Sequence, residues 1–306
     1  MIKVKKINKL TTELPKKSAF TIETDIDFPK LHTLTVASGK RGGGKSVAIA
    51  NLIKKAKEKG YYDRVLLISP TYASNKEIWN IASINEEDVY EPTKDVLKTI
   101  IKFVENERKE WDEFLYKKEL FKKFNRDMKN KPYEMINANS LLEFYDHGFL
   151  KPNTNKPEKW KYKTEQPPRI ALIIDDCLGT PLLACSTAGL TNLCIKHRHI
   201  GDGLGISIFM CVQSFSCHGG LDRAIRENCT MLMLFKIADQ NQIKKIREES
   251  DLPVTDEEFN AMCKYCHDIP FNFLLIDFSP KTPCKRFRSG WDNYLQVPSI
   301  PCLCKK

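Results

Sequence analysis

Short apolar runs of strand length alternate along this chain with longer stretches of helical periodicity. Leu34-Thr35-Val36-Ala37 is β-prone and ends in a glycine cluster, and residues 47–59 then read as a helix stopped by Gly60. Val65-Leu66-Leu67-Ile68 reads as a buried strand closed by Ser69-Pro70-Thr71. The first 70 residues therefore spell strand, glycine loop, helix, strand, the order of one βαβ unit of a parallel sheet. The pattern returns after residue 169. Strands are expected at 170–174, 206–212, 231–235 and 271–278, and helices at about 187–196, 221–227 and 240–249. Core strands with interleaved helices make a three-layer α/β/α sandwich.

Between these two parts the texture changes. Residues 75–166 are rich in Lys and Glu, with apolar residues at helical spacing (Val96, Ile100, Ile101, Val104; Trp111, Phe114, Leu115). They read as two or more amphipathic helices inserted into the α/β pattern. Residues 151–168 carry four prolines and read as an exposed linker. The expected organisation is a basic segment at 1–30, a core at 31–74 and 169–295, a helical insertion and linker at 75–168, and a tail at 296–306.

Composition narrows the class. A chain of 306 residues, 42% hydrophobic and 29% charged, fits one large domain or two small ones with a full core. The longest apolar runs are much shorter than a membrane span, and the charges at 3–6 have no apolar stretch behind them. Neither secretion nor a membrane partner is expected. The net charge of +10 is uneven: residues 1–60 hold 14 Lys/Arg against 5 Asp/Glu, and residues 281–306 hold 6 against 1. Basic ends suit a polyanion such as nucleic acid, and equally suit a solubilising surface. All 11 cysteines lie between Cys177 and Cys304, an odd number, several within apolar runs. They read as reduced thiols. Cys263-x-x-Cys266-His267, with Cys284, Cys302 and Cys304 downstream, leaves a zinc site as the alternative.

The chemistry concentrates in four places. Gly39-Lys40-Arg41-Gly42-Gly43-Gly44-Lys45-Ser46 matches G-x-x-x-x-G-K-S between a strand and a helix. Glycines let backbone N–H groups close around a phosphate, and the helix that follows points its positive end at the anion. Lys45 then reaches the β- and γ-phosphates of a nucleotide, and Ser46 offers a hydroxyl to Mg²⁺. Asp175-Asp176 ends the buried run 170–174, which puts two carboxylates on the ligand edge of the sheet. Asp175 would hold Mg²⁺ through water and Asp176 would take a proton from, or orient, the attacking water; the alternative is that both cap the next helix. Gln213 follows the strand at 206–212 and can touch the γ-phosphate or the water, or be an ordinary loop residue. Arg223 and Arg226, three apart on a short helix, can stabilise charge at a neighbouring γ-phosphate, or pair with Asp222 and Glu227.

The order of these motifs, with K-H-R-H-I before S-I-F-M-C-V-Q-S, A-I-R-E-N-C before a strand, and F-N-F-L-L-I-D-F late in the chain, resembles a known family. It is similar to the genome-packaging ATPases of large nucleocytoplasmic DNA viruses (the poxvirus type), within the FtsK/HerA superfamily of P-loop translocases. The resemblance covers about 31–79 and 169–295. It implies a P-loop NTPase fold of the RecA/FtsK kind and an ATP- and Mg²⁺-dependent motor, assembled as a pentameric or hexameric ring, that pumps double-stranded DNA into a capsid. Capsid proteins are implied partners, and the host cytoplasm, the viral factory or the virion the implied location. The resemblance places Lys45 and Ser46 on the nucleotide and its metal, Asp175 and Asp176 as the Walker B pair, Gln213 as sensor, and Arg223 or Arg226 as a finger acting in trans. Many relatives carry Asp-Glu where this chain has Asp175-Asp176. Two rival readings stand beside it: a plasmid-mobilising or helicase-like ATPase, and a nucleotide-dependent scaffold with little turnover. A GTPase is disfavoured, because Asn155-Lys156-Pro157-Glu158 lacks the Asp of a guanine-reading motif.

Overall fold

A computed structural model describes residues 24–25, 28–151, 157–177, 179–184, 187–215, 221–237 and 239–300. Most of the basic segment at 1–30 and the end of the tail, with Cys302 and Cys304, lie outside the described residues. The strands are β1 (Leu34–Ser38), β2 (Arg64–Ile68), β3 (Val89–Tyr90), β4 (Ile170–Asp175), β5 (Ser207–Val212), β6 (Met231–Phe235), β7 (Phe273–Asp277), β8 (Phe287–Ser289) and β9 (Asn293–Tyr294). The helices are α1 (Lys45–Glu58), α2 (Lys76–Ile81), α3 (Val96–Asn130), α4 (Ala138–Asp146), α5 (Pro181–Ala184), α6 (Thr187–Lys196), α7 (Arg223–Glu227), α8 (Gln240–Glu249) and α9 (Asp256–His267).

The nine strands among the described residues form one sheet in the order β3-β2-β4-β5-β1-β6-β7-β8-β9. Strands β3 to β6 in that order are parallel, and both faces are covered, which is why their sequences run apolar without a polar side. The period of two still sorts them. Val36, Leu66, Leu172, Ile208 and Leu232 face one core with α3, α6, α8 and α9, while Ala37, Leu67, Ile173, Phe209 and Met233 face another with α1 and α2. This is the three-layer α/β/α arrangement of a P-loop NTPase.

The structure adds three features that the sequence pattern left open. First, β1 and β2 are parallel but not neighbours, because β5 and β4 lie between them. Strand order depends on which buried edges meet, and local patterning does not carry that information. Second, the sheet is not parallel throughout: β7 runs antiparallel to β6, and β8 and β9 continue antiparallel. Two helices, α8 and α9, separate β6 from β7, so the chain returns to the edge it left and must run back down. Helix α9 was not expected, although Thr255-Asp256-Glu257-Glu258 forms its capping box. Third, the apolar positions from Val96 to Leu115 lie on one continuous 35-residue helix, about 52 Å long. Its first turns pack on the sheet, and its far half packs Leu120 and Phe124 against Ile136 and Phe144 around α4. The expected strand at 271–278 shortens to Phe273–Asp277, leaving Phe271 in the preceding turn. Among the described residues, no helix is long and apolar enough to cross a membrane.

Cys263 and Cys266 are buried in α9, and His267 Nε2 lies 3.0 Å from the Leu234 carbonyl oxygen. Burial pushes the Cys263 thiol up to about 12.

Candidate functional site

The strand order sets the site. Because β5 lies between β1 and β4, the segments leaving all three strands meet at one edge of the sheet. Gly39 leaves β1 with its N–H donating to the Val212 carbonyl at the end of β5. Its glycine is required by close approach: a Cβ there would sit 2.5 Å from the Phe235 Cβ. Gly39→Ala is therefore expected to cost about 1–3 kcal/mol, read as a fall of several degrees in thermal unfolding. The loop then turns through Lys40 and Arg41, both exposed, and Gly42 and Gly43 to Gly44, which caps α1 at φ +95°, a conformation that favours glycine.

Helix α1 starts at Lys45, two residues earlier than the periodicity predicts, so Lys45 and Ser46 form its first turn. Lys45 Nζ donates to the Gly39 carbonyl at 2.7 Å and the Lys40 carbonyl at 2.9 Å. Burial lowers its pKa, while Cys211, Asp175 and Asp176 oppose that shift. Ser46 Oγ donates to Asp175 Oδ1 at 2.9 Å. Asp175 ends β4 almost wholly buried, and burial raises its pKa against the hydrogen bonds from Ser46 and Cys211. A hydroxyl and a carboxylate oxygen held side by side below a phosphate-sized glycine loop fit Mg²⁺, which takes few protein ligands and completes its shell with water and phosphate oxygens. Such a site needs no larger cluster. Among the described residues, no group of three or more His, Cys, Asp or Glu is placed to hold a metal.

Asp176 follows with φ +51° and accepts a 2.7 Å hydrogen bond from Gln213 Nε2. Register explains the meeting: Asp175 pairs with Cys211 across β4 and β5, so the next residues out of each strand converge. Lys45, Ser46, Asp175, Asp176 and Gln213 all line one cleft of about 920 Å³, together with Arg41 to Gly44. The next helix, α5, starts only at Pro181, five residues beyond Asp176.

Arg223 and Arg226 are not in that cleft. They stand on α7, just before β6 begins, near Cys229, whose Sγ lies 3.5 Å from the Leu34 carbonyl at the start of β1. That is the opposite edge of the sheet, about 17 Å from the glycine loop across a five-residue strand. Arg226 makes a bidentate pair with Glu249 at 2.8 and 3.0 Å, and Arg223 pairs with Glu227 on the surface. Both line a second, smaller cavity of about 300 Å³ with Phe278 and Arg286. Neither can reach a nucleotide held in its own chain.

Sequence reasoning missed several residues of the cleft. Cys211 lies beneath Asp175, its thiol pushed well up by burial and then by the Asp175 charge. Thr71 and Asn75 close one side, and Phe271 and Trp291 another. Only the strand order and the antiparallel turn at β7 bring them there; no local pattern announces them.

No family model matches the chain, and no curated protein matches it in sequence. Solved structures do. The genome packaging NTPase B204 from Sulfolobus turreted icosahedral virus 2, in complex with ATP-gammaS, aligns over 90% of this chain and 100% of its own at 11% identity and TM-score 0.44. EssC (ATPases 2 and 3) from Geobacillus thermodenitrificans aligns over 89% of this chain at 13% identity and TM-score 0.43, and this chain spans 40% of its length. The cytoplasmic domain of the Thermomonospora curvata type VII secretion ATPase EccC aligns over 86% of this chain and 24% of its own, at 12% identity and TM-score 0.40.

Proposed function

We propose that this chain is an ATPase that couples ATP hydrolysis to the movement of double-stranded DNA, as a viral genome-packaging motor does. The observation that carries the hydrolytic part is the pair of contacts Ser46–Asp175 and Asp176–Gln213 beside the Lys45 loop. In this reading the N–H groups from Gly42 to Ser46 cradle the phosphates. Lys45 exchanges the Gly39 and Lys40 carbonyls for the β- and γ-phosphate oxygens. Ser46 and Asp175 would hold Mg²⁺, which neutralises charge on the phosphates. Asp176 takes the proton of the attacking water, and Gln213, already bonded to Asp176, fixes where that water sits.

The DNA part is supported by the order of motifs and by the basic excess at both ends of the chain. Assembly into a ring is supported by Arg223, which stands far from its own chain's cleft and makes an exposed pair with Glu227 that is worth little. Arg226, locked to Glu249, supports α7 instead. Not all of the basic excess at 281–306 is open to DNA. Arg288 is buried with its guanidinium 4.9 Å from the Tyr294 ring centre, and Arg286 lines the smaller cavity. The capsid partner and the viral factory as location belong to the same reading.

Phosphate release measured with and without linear duplexes of unrelated sequence tests it. Turnover should rise equally with each duplex, and the DNA affinity should fall with salt at a slope of about −0.9 per neutralised phosphate. Stimulation by single strands alone would favour the helicase-like reading, and absence of turnover under all conditions would leave a scaffold.

A further inference from the structure

Antiparallel β7 brings its N-terminal end, rather than its C-terminal end, to the edge where the glycine loop lies. The turn before it carries Phe271, which is placed unlike any core aromatic. It is 75% exposed. Its φ of +58° lies in the left-handed region, which a large side chain occupies only at a cost. Phe235, Phe273 and Trp291 form a ladder of ring contacts close by, with centroids 4.9 and 5.1 Å apart, and Phe271 is not part of it. Its Cβ instead lies over the glycine loop, 3.4 Å from where a Cβ on Gly44 would be. The turn is anchored, since Asn272 Nδ2 donates to Ser289 Oγ at 2.8 Å at the end of β8. Trp291, which lines the same cleft, has a buried Nε1 without a hydrogen-bond partner among the described residues. A strained, exposed ring fixed at the mouth of a phosphate cleft contributes nothing to the core. What it offers is a flat apolar face beside the phosphates.

We propose that Phe271 is the platform on which the base of the bound nucleotide stacks, and that it reads the face of the base rather than its edge. This rests on the nucleotide reading of the cleft. Every base has a π-face, so stacking holds adenine and guanine nucleotides alike and contributes about tenfold in affinity.

Equilibrium binding of ATP, GTP and inorganic tripolyphosphate, each with Mg²⁺, to the full chain and its variants provides the test. Phe271→Ala should lose about tenfold for ATP and GTP and nothing for tripolyphosphate. Phe271→Trp should keep ATP affinity, and ATP but not tripolyphosphate should quench the added indole. Phe271→Gly should show the same nucleotide loss while melting about 2 °C higher, because glycine relieves the backbone. Unchanged ATP affinity in Phe271→Ala would overturn the proposal. So would an equal loss for tripolyphosphate, which would make Phe271 a support for Gly44, and so would a loss confined to one base. A lower melting temperature for Phe271→Gly would make the ring a packing element and overturn it as well. A wild-type chain that binds neither ATP nor tripolyphosphate brings down the cleft reading itself.

Discussion

Lys45→Ala is expected to abolish phosphate release and to weaken ATP binding about a hundredfold. The lysine is the cation at the centre of the glycine loop, nearly buried and 2.7 Å from the Gly39 carbonyl. A cation that faces phosphates in such a place is worth about 3 kcal/mol when removed, because the remaining charges lose their partner in a site partly closed to water. That figure corresponds to about a hundredfold in affinity. The loop also loses the two hydrogen bonds that Lys45 makes to its carbonyls, so thermal unfolding should accompany the binding titration. A variant that folds, binds ATP with wild-type affinity and still turns it over would remove Lys45 from the site.

Asp176→Asn should separate binding from chemistry. Kd for ATP should stay within about threefold, while kcat falls by about 10²–10⁴. The carboxylate accepts from Gln213 and sits outside the Ser46–Asp175 pair that would hold Mg²⁺, so its loss leaves the phosphate cradle intact. An amide cannot take up the proton of the attacking water. The left-handed backbone at Asp176 favours this substitution as a probe, since Asn tolerates φ +51° better than most residues do. Single-turnover phosphate release gives the answer, and near-normal turnover in Asp176→Asn would show that another group acts as the base. The shorter Asp at a position where Glu is common in the resembling family makes this the sharpest test of the Walker B pair. The Gln213 bond gives Asp176 a fixed orientation that its length alone would not.

Local sequence determined the strand–loop–helix that starts the fold, the glycine loop with Lys45 and Ser46, and the carboxylate pair at the end of β4. Each depends on neighbours in the chain: glycines where side chains do not fit, a helix start beside them, and an apolar run long enough for one buried strand. The tertiary structure decided which of those pieces meet. The β5 strand between β1 and β4 joins Asp176 to Gln213 and puts Cys211 under Asp175. The two-helix return between β6 and β7 reverses the last strands, carries Phe271 to the cleft, and turns Cys263 and Cys266 into core residues. Arg223 and Arg226 were legible as a pair on one short helix, yet only the direction of β6 sends them to the far edge of the sheet. Strand order and direction follow from long-range burial of whole faces. A pattern of period two records that a strand is buried, not which strand lies beside it.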